Sequence, residues 1–388
     1  MGHRPGRAAS PFSTTAPGVT TRRRNTSDER RRTGRAVSTA APIAPVDISG
    51  LYGFSYACRP QCGLCCYAEP LVGPAEKAGL LRIVPSAEFT ARGRFEFLRS
   101  HSDGGACRLL EGDRCRAHSA RPSMCREYPL SAHVGLRVQA TISMTCPGVD
   151  LSALHGYRGP DRGAPPHGFD TELTALRARV DGSVRRLLEN NGRRQRHIER
   201  VLGAAGRWTG DEEVRGRLRG QIPLPAKEDF PVGDPPSQDD GLASLPLFFD
   251  RHTGLVALAG GTDGWEVVTL YPTGGVRSSL GVVPPPGRPP ALSEDAAGTL
   301  AGYLRYWLER DLLFGIVHLA MLETPEGSVT DHVRAELREI AAVTLSRAQV
   351  LATLRGGGGV RLSEEEVREG IRATDQDLLD QETWGTRL

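Results

Sequence analysis

Apolar residues recur at helical spacing in two parts of the chain. At 169–208 they recur every three or four residues among many arginines, which is typical of an amphipathic helix. The apolar positions of that segment are Leu173, Leu176, Val180, Val184, Leu187 and Leu188. Further helices are predicted at 293–322, 328–354 and 363–384, and Ser363 followed by Glu366 is a capping box at the start of the last one. We expect these C-terminal helices to pack as a bundle.

The pattern changes between the two helical parts. Short apolar runs at 245–249, 254–259, 265–271 and 276–283 are separated by clusters of Gly, Asp, Thr and His. Several short strands joined by glycine turns are typical of an antiparallel meander.

Stretches rich in glycine, proline or polar residues divide the chain. The predicted segments are a disordered Arg-rich tail at 1–47, a cysteine-cluster domain at 48–160, a helical segment at 169–220, a linker at 221–242, a β-meander at 243–284 and a helical region at 292–388. The predicted fold class is therefore α+β: a small cysteine-rich domain, followed by a mainly helical C-terminal region that contains a short antiparallel β-meander.

Charge is distributed unevenly along the chain. Residues 1–36 carry nine arginines against one Asp and one Glu, a net +7, whereas the whole chain carries only +3. We expect a solvated tail rather than a nucleic-acid-binding arm, and nucleic acid is not a predicted partner. No apolar run reaches the roughly 20 residues that a transmembrane helix needs. The tail has no apolar targeting segment, so we expect a cytoplasmic protein without a membrane partner. The C-terminal helices are the candidate face for a protein partner.

All eight cysteines fall within one short region, and the last 242 residues contain none. They are Cys58, Cys62, Cys65, Cys66, Cys107, Cys115, Cys125 and Cys146. In a reducing cytoplasm such clustering favours metal ligation over disulfides. Two residues between Cys62 and Cys65 let a tight turn aim both sulfurs at one metal, and Gly63 relaxes that turn. The cysteine-rich domain is therefore predicted to bind a metal ion or cluster.

The spacing leaves the metal and the number of sites open. Four thiolates suit a tetrahedral zinc or an iron–sulfur cluster, of which the cluster is slightly favoured. Cys65 and Cys66 are adjacent, and neighbouring side chains point in different directions. Eight thiols are enough for two four-ligand sites, or for one site with several non-ligating cysteines. His118, three residues after Cys115, is predicted not to be a ligand.

These motifs resemble the YkgJ-type cysteine-cluster family, also known as the CxxCxxCC or zinc- or iron-chelating domain. The resemblance covers about 54–150 and rests on Cys62-Gly63-Leu64-Cys65-Cys66, Cys107, Cys115, the run from Arg121-Pro122 to Cys125 and Tyr128-Pro129, and Cys146-Pro147-Gly148. One departure is that three residues, rather than two, separate Cys58 from Cys62. The resemblance implies a metal or iron–sulfur site more firmly than a reaction.

Two enzymatic alternatives stand beside plain metal binding. Flagellin lysine methylases look like relatives of this domain, so a protein-lysine methylase-like enzyme that uses an iron–sulfur cluster is the alternative function. Cys58-x-x-x-Cys62-x-x-Cys65 also has the spacing of the radical adenosylmethionine motif. However, Leu64 stands where that motif carries an aromatic residue, and no regular strand–helix alternation supports the required barrel. The catalytic residues are not identified by any motif in the sequence.

Overall fold

A computed structural model describes the chain from residue 45 onwards. The residues it leaves out are 1–44, 60–61, 68–69, 94, 102–104, 112–113, 161–163, 181, 226–228, 230–244, 251–252, 262–263, 272–275, 285, 324–325, 357–360, 380–385 and 388. The predicted Arg-rich tail therefore lies outside the described residues except for 45–47, and so does most of the predicted linker at 221–242.

Helices predominate in the described residues. They are α1 (Pro74–Ile83), α2 (Ser123–Glu127), α3 (Asp170–Arg179), α4 (Gly182–Ala204), α5 (Asp211–Arg219), α6 (Glu294–Glu309), α7 (Asp311–Glu323), α8 (Val329–Leu354) and α9 (Glu364–Leu379). The strands before the meander are β1 (Val46–Asp47), β2 (Phe89–Arg92), β3 (Phe95–Leu98), β4 (Leu110–Glu111), β5 (Arg114–Cys115), β6 (Leu130–Val134) and β7 (Val138–Ile142). Those that follow are β8 (Leu247–Asp250), β9 (Gly254–Gly261), β10 (Gly264–Leu270), β11 (Val276–Val283), β12 (Ala291–Leu292), β13 (Arg361–Leu362) and β14 (Thr386–Arg387).

A four-stranded sheet in the order β1-β7-β6-β14 lies beside the cysteine region. Its two middle strands are antiparallel, with Ala132 opposite Ala140, and every residue of both is buried. Three of the buried polar side chains find partners: the hydroxyls of Ser131 and Thr141 lie 2.9 Å apart, and Gln139 donates to the carbonyl of Glu309. This pairing allows short strands with polar residues to sit in the interior.

The C-terminal helices pack against this sheet in one continuous core. Tyr303, Trp307, Leu345 and Ile371 belong to the same buried cluster as Val138 and Ile142. The predicted single helix at 293–322 is wrong: it is two helices, α6 and α7, because Arg310 between them adopts an extended backbone. Its buried guanidinium donates to Asp375 on α9 and to the carbonyl of Ile142, which fixes the break.

The meander forms a second sheet, in the order β11-β10-β9-β8, with antiparallel neighbours. Its strands agree with the predicted ones to within two residues. One face packs on Val350 and Leu351 of α8, and Tyr67 packs on the other face. The capping box at Ser363 is also confirmed, since Glu366 accepts from the backbone and hydroxyl of Ser363.

The predicted mixture of helices and short antiparallel sheets is confirmed, with 49% helix and 22% strand among the residues that the structure describes. Within the described ranges no helix combines the length and the apolar character that crossing a membrane requires. The cysteine region and the C-terminal helices share a core, and this sharing positions the site described next.

Candidate metal centre

All eight predicted site residues line a single cavity of about 560 Å³. The chain segments that surround it come from the whole region 56–148. Every cysteine is a free thiol. Residues that are up to 88 positions apart in sequence (Cys58 and Cys146) are thus brought to one place. The remaining lining includes Tyr56, Tyr128, Leu98, Leu109, three arginines and His118.

The turn at Gly63 and the 3₁₀ helix that follows, Leu64–Tyr67, place the first group of cysteines. Gly63 has a φ of +62°, a left-handed conformation that favours glycine, and its carbonyl accepts from the amide of Cys66 at 2.9 Å. The carbonyl of Cys66 in turn accepts from the amide of Cys107 at 2.7 Å. In the hairpin β4–β5, Cys115 lies opposite Leu110. These backbone bonds hold Cys66, Cys107 and Cys115 on one side of the cavity.

The run Cys146-Pro147-Gly148 forms another side. A Cβ atom added to Gly148 would lie 2.5 Å from the carbonyl oxygen of Ala57, so glycine is required where these two segments meet. The amide of Ala57 donates to the carbonyl of Gly148 at 3.0 Å. Cys58, the next residue along the chain, is therefore held near Cys146. The predicted Cys-Pro-Gly motif is a packing feature as well as a source of a thiol.

Arg372 of α9 supports the Cys146 segment from the C-terminal half. Its guanidinium donates to the carbonyls of Cys146 at 2.6 Å, Val149 at 3.0 Å and Met144 at 3.4 Å. Burial, the larger effect, lowers the pKa of the Arg372 guanidinium, while the neighbouring Cys146 raises it. Sequence analysis missed this residue, because nothing in a single sequence connects positions 226 residues apart.

Backbone amides point at four of the sulfurs, each from the residue two positions further on. Leu109 donates to the sulfur of Cys107 at 3.5 Å, and the amides of Leu64, Ala117 and Gly148 serve Cys62, Cys115 and Cys146 in the same way. Burial raises the pKa of Cys62 and of Cys107 to about 11, and that of Cys146 to about 12, while each amide lowers it. N–H donors favour the thiolate form, which is the form that binds a metal.

The adjacent cysteines differ in acidity. A hydrogen bond from the thiol of Cys66 lowers the pKa of Cys65 to about 7, although burial opposes this, and Arg121 lowers it further. The same hydrogen bond, with burial, raises the pKa of Cys66 well above the usual range. Cys65 is thus the more acidic of the two.

The charged groups that line the cavity are cationic. Arg59, Arg114 and Arg121 are part of the wall, and no Asp or Glu of the described residues is. His118 also lines the cavity, and Arg121, with some burial, lowers its pKa. Four thiolates around a divalent metal carry a net charge of −2, which nearby guanidinium groups offset.

The donor set fits a thiophilic metal. Over the described residues, no three His, Cys, Asp or Glu side chains converge closely enough to hold an ion without rearrangement. Rotation of a cysteine between staggered χ1 positions moves its sulfur by about 3 Å, so the distances between thiols that line one cavity are adjustable. Soft thiolates with amide donors suit zinc or an iron–sulfur cluster rather than magnesium or calcium.

Neither a curated protein nor a solved structure matches the chain. One family model does match, over a range that begins one residue before Cys58 and ends one residue after Cys146. It therefore includes all eight cysteines and leaves out Arg372 and the C-terminal helices. Residues 57–147 match the CxxCxxCC model, described as "Putative zinc- or iron-chelating domain".

Proposed function

We propose that this protein binds zinc or an iron–sulfur cluster through the cysteines of the cavity. The observation that carries the proposal is that all eight free thiols line one space. Thiols placed by chance in an apolar core would not share a cavity with three arginines and no carboxylate of the described chain. The match of residues 57–147 to a chelating-domain model supports the same conclusion.

The chain's own groups have definite tasks in such a site. The amides of Leu64, Leu109, Ala117 and Gly148 stabilise thiolates. Arg121 lowers the pKa of Cys65, for which the hydrogen bond with Cys66 is the larger cause, and it lies near Cys115 and Cys125 as well. A bound zinc would supply folding energy, and an iron–sulfur cluster would supply redox chemistry. The cytoplasm, where thiols stay reduced, is the compartment in which this site would form.

Anaerobic purification followed by elemental analysis and a visible absorption spectrum tests the proposal. Iron with sulfide and a coloured protein would identify a cluster, and zinc in a colourless protein would identify a tetrahedral thiolate site. Cys125→Ser is expected to lower the bound metal, whereas its neighbour Met124→Ser, at a half-exposed position, is the matched control. A metal-free protein with eight alkylatable thiols would overturn the proposal.

The size of the cavity favours one second candidate, a protein-lysine methylase-like enzyme that uses an iron–sulfur cluster. A volume of about 560 Å³ lies in the range of small-molecule sites, which is roughly 300–1,000 Å³. Exposed residues such as Cys58 and Arg59 on its lining leave it open to solvent. Equilibrium binding of radiolabelled adenosylmethionine to the metal-loaded chain tests it. Absence of binding to a chain that retains its metal would eliminate the enzyme and leave metal binding intact.

A further inference from the structure

Helix α4 presents an arginine-rich face to solvent. Its residues include six arginines and no lysine, against two glutamates. Val184 and Leu202 lie on its buried side. Arg186, Arg193 and Arg200 are exposed and follow one another at intervals of seven residues, which is about two turns of a helix. They therefore lie in one line that extends over roughly 21 Å.

The guanidinium groups of this line are not neutralised by carboxylates. Within the described ranges, Arg186, Arg193 and Arg200 take part in no ion pair. Arg193 donates to the side-chain oxygen of Asn190 at 2.6 Å, and Arg200 donates through Nε to the carbonyl of Arg196 at 3.2 Å. Both partners are neutral groups of the same helix, so the positive charge of the line stays uncompensated.

Arginines of the next helix are treated differently by the fold. Arg219 of α5 pairs with Glu309 at 2.7 Å. The acids of α4 do not provide such partners: Glu199 is buried and accepts from Gln195 at 3.0 Å, which leaves Glu189 as the exposed acid of the helix. The exposed face of α4 therefore has a net positive charge that the rest of the described chain does not balance locally.

A groove of about 390 Å³ adjoins this face at the C-terminal end of the helix. Arg196 and Arg200 line it together with Trp208, which follows the helix. The indole N–H donates to Asp211 at 3.0 Å, and the ring lies against Gly203, where an added Cβ would be 3.8 Å from a ring carbon. The groove thus combines a fixed aromatic ring with two guanidinium groups.

This combination suits a chain of phosphates that carries unpaired bases. The planar guanidinium group binds phosphate oxygens through two parallel N–H donors. An aromatic side chain stacks on a base of a single strand, whereas the bases of a duplex are already stacked on one another. An acidic peptide would pair with the arginines but has no base to offer to the indole. The aromatic groove therefore favours a nucleic acid over an acidic protein.

We propose that the exposed face of α4 and the adjoining groove bind single-stranded nucleic acid. One base stacks on Trp208. The phosphates are held by Arg186, Arg193, Arg196 and Arg200. None of these side chains lines the cysteine cavity, so the inference goes beyond metal binding and does not depend on it. A net charge of only +3 for the whole chain gave no indication of this partner, because the arginines are brought onto one face only by the helix.

Fluorescence anisotropy of labelled oligonucleotides with the full-length chain tests the proposal. The probes are oligouridylate and oligothymidylate of equal length, a DNA duplex of that length, and polyglutamate as a competitor without bases. The two single strands distinguish RNA from DNA as the source of the phosphates and bases. Each probe is measured over a series of salt concentrations, because phosphate contacts make affinity depend on salt.

The arginine variants change the dependence on salt. Each phosphate contact to a single strand contributes about 0.7 to the slope of log K against log salt concentration. Arg193→Gln should therefore make the slope shallower by about 0.7, and Arg193→Gln combined with Arg200→Gln by about 1.4. The matched control is Arg217→Gln on α5, where the side chain is 56% exposed, and it should leave the slope unchanged.

The groove variants change affinity instead. Trp208→Leu should weaken single-strand binding by about 5- to 150-fold without changing the salt slope, because stacking releases no counterions. Trp208→Phe keeps an aromatic ring and should retain most of the affinity.

Single strands that bind no more tightly than the duplex would overturn the proposal. Polyglutamate that displaces them as well as an unlabelled single strand does would also overturn it and indicate an acidic protein as the partner. Binding that is equal in the wild type and in the double arginine variant would come from elsewhere in the chain, such as the nine arginines of 1–36, and would overturn the assignment to α4.

Discussion

Replacement of Asp375 by Asn should destabilise the protein severely. Asp375 is fully buried, with 0% of its side chain exposed, and Arg310 is 2% exposed. The carboxylate accepts hydrogen bonds from Arg310 at 3.1 Å, Tyr303 at 2.9 Å and the amide of Met144 at 2.7 Å. Arg310 also stacks on Tyr306 and Trp307, each 4.2 Å from the guanidinium carbon. The pair thus connects the end of β7 to α6, to α9 and to the break between α6 and α7.

The expected loss follows from the burial of the cation. Asp375→Asn keeps the shape of the side chain but removes the charge that compensates the Arg310 guanidinium. Breaking a buried pair in this way costs about 3–5 kcal/mol. The matched control is Glu213→Gln, which breaks the pair between Glu213 and Arg217, whose side chains are 48% and 56% exposed. Such a surface pair contributes about 0.2–1 kcal/mol.

Urea unfolding of the wild type and both variants, followed by circular dichroism, measures the two losses. Replacing both partners with apolar residues, Asp375→Leu with Arg310→Met, should cost less than Asp375→Asn alone, because no charge is then left buried without compensation. A loss below about 1 kcal/mol for Asp375→Asn, no larger than for Glu213→Gln, would refute the electrostatic reasoning.

Three further predictions concern packing, acid stability and metal loading. A Cβ on Gly302 would lie 1.8 Å from the carbonyl oxygen of Leu154, so Gly302→Ala should lower the free energy of unfolding by about 2 kcal/mol or more. A Cβ on Gly216 of α5 meets nothing within 4 Å, so Gly216→Ala should raise it by about 0.5–1 kcal/mol. Urea unfolding measures both changes. Burial lowers the pKa of His133 from 6.5 to about 4, so the unfolded chain takes up the proton first as the pH falls. The free energy of unfolding should therefore decrease by up to about 3 kcal/mol between pH 6.5 and pH 4. His133→Gln should flatten this dependence on pH and the exposed His197→Gln should not, whereas equal slopes in the wild type and both variants would contradict the prediction. Burial raises the pKa of Cys107 to about 11 and that of Cys146 to about 12, so these thiols are protonated at pH 7 and zinc binding should release their protons. Calorimetry in buffers of different ionisation enthalpy measures this release. Binding heats that do not depend on the buffer would count against thiolate ligation.

The sequence predicted local features better than long-range ones. The strands of the meander and the Ser363–Glu366 box depend on neighbouring residues, and both agree with the structure. The break at Arg310 could not be predicted, because it depends on Asp375, 65 residues away along the chain. Apolar spacing is continuous across 293–322, so the periodicity gives no sign of two helices.

The same contrast between local and long-range features holds for the candidate metal site. Cysteine spacing identified the eight thiols that line the cavity, since clustering is visible in the sequence. That Cys146 is buried in the main core and Cys107 in a separate smaller one is not visible in the cysteine spacing. Arg372 depends on the docking of α9 on the Cys146 segment, so it is recognisable only in three dimensions.

The support of Cys146 by α9 has a consequence for the order of events during synthesis. The ribosome adds 226 residues between Cys146 and Arg372, which takes roughly 10–50 s at about 5–20 residues per second. Throughout that interval every thiol has left the peptidyl-transferase centre, and the helix that braces one wall of the cavity does not yet exist. The nascent chain therefore carries all eight cysteines before the side chain that supports the Cys146 segment has been made. The proposed metal site is therefore complete only after α9 has been synthesised, and any premature stop before residue 372 yields a chain without the guanidinium that supports the Cys146 segment.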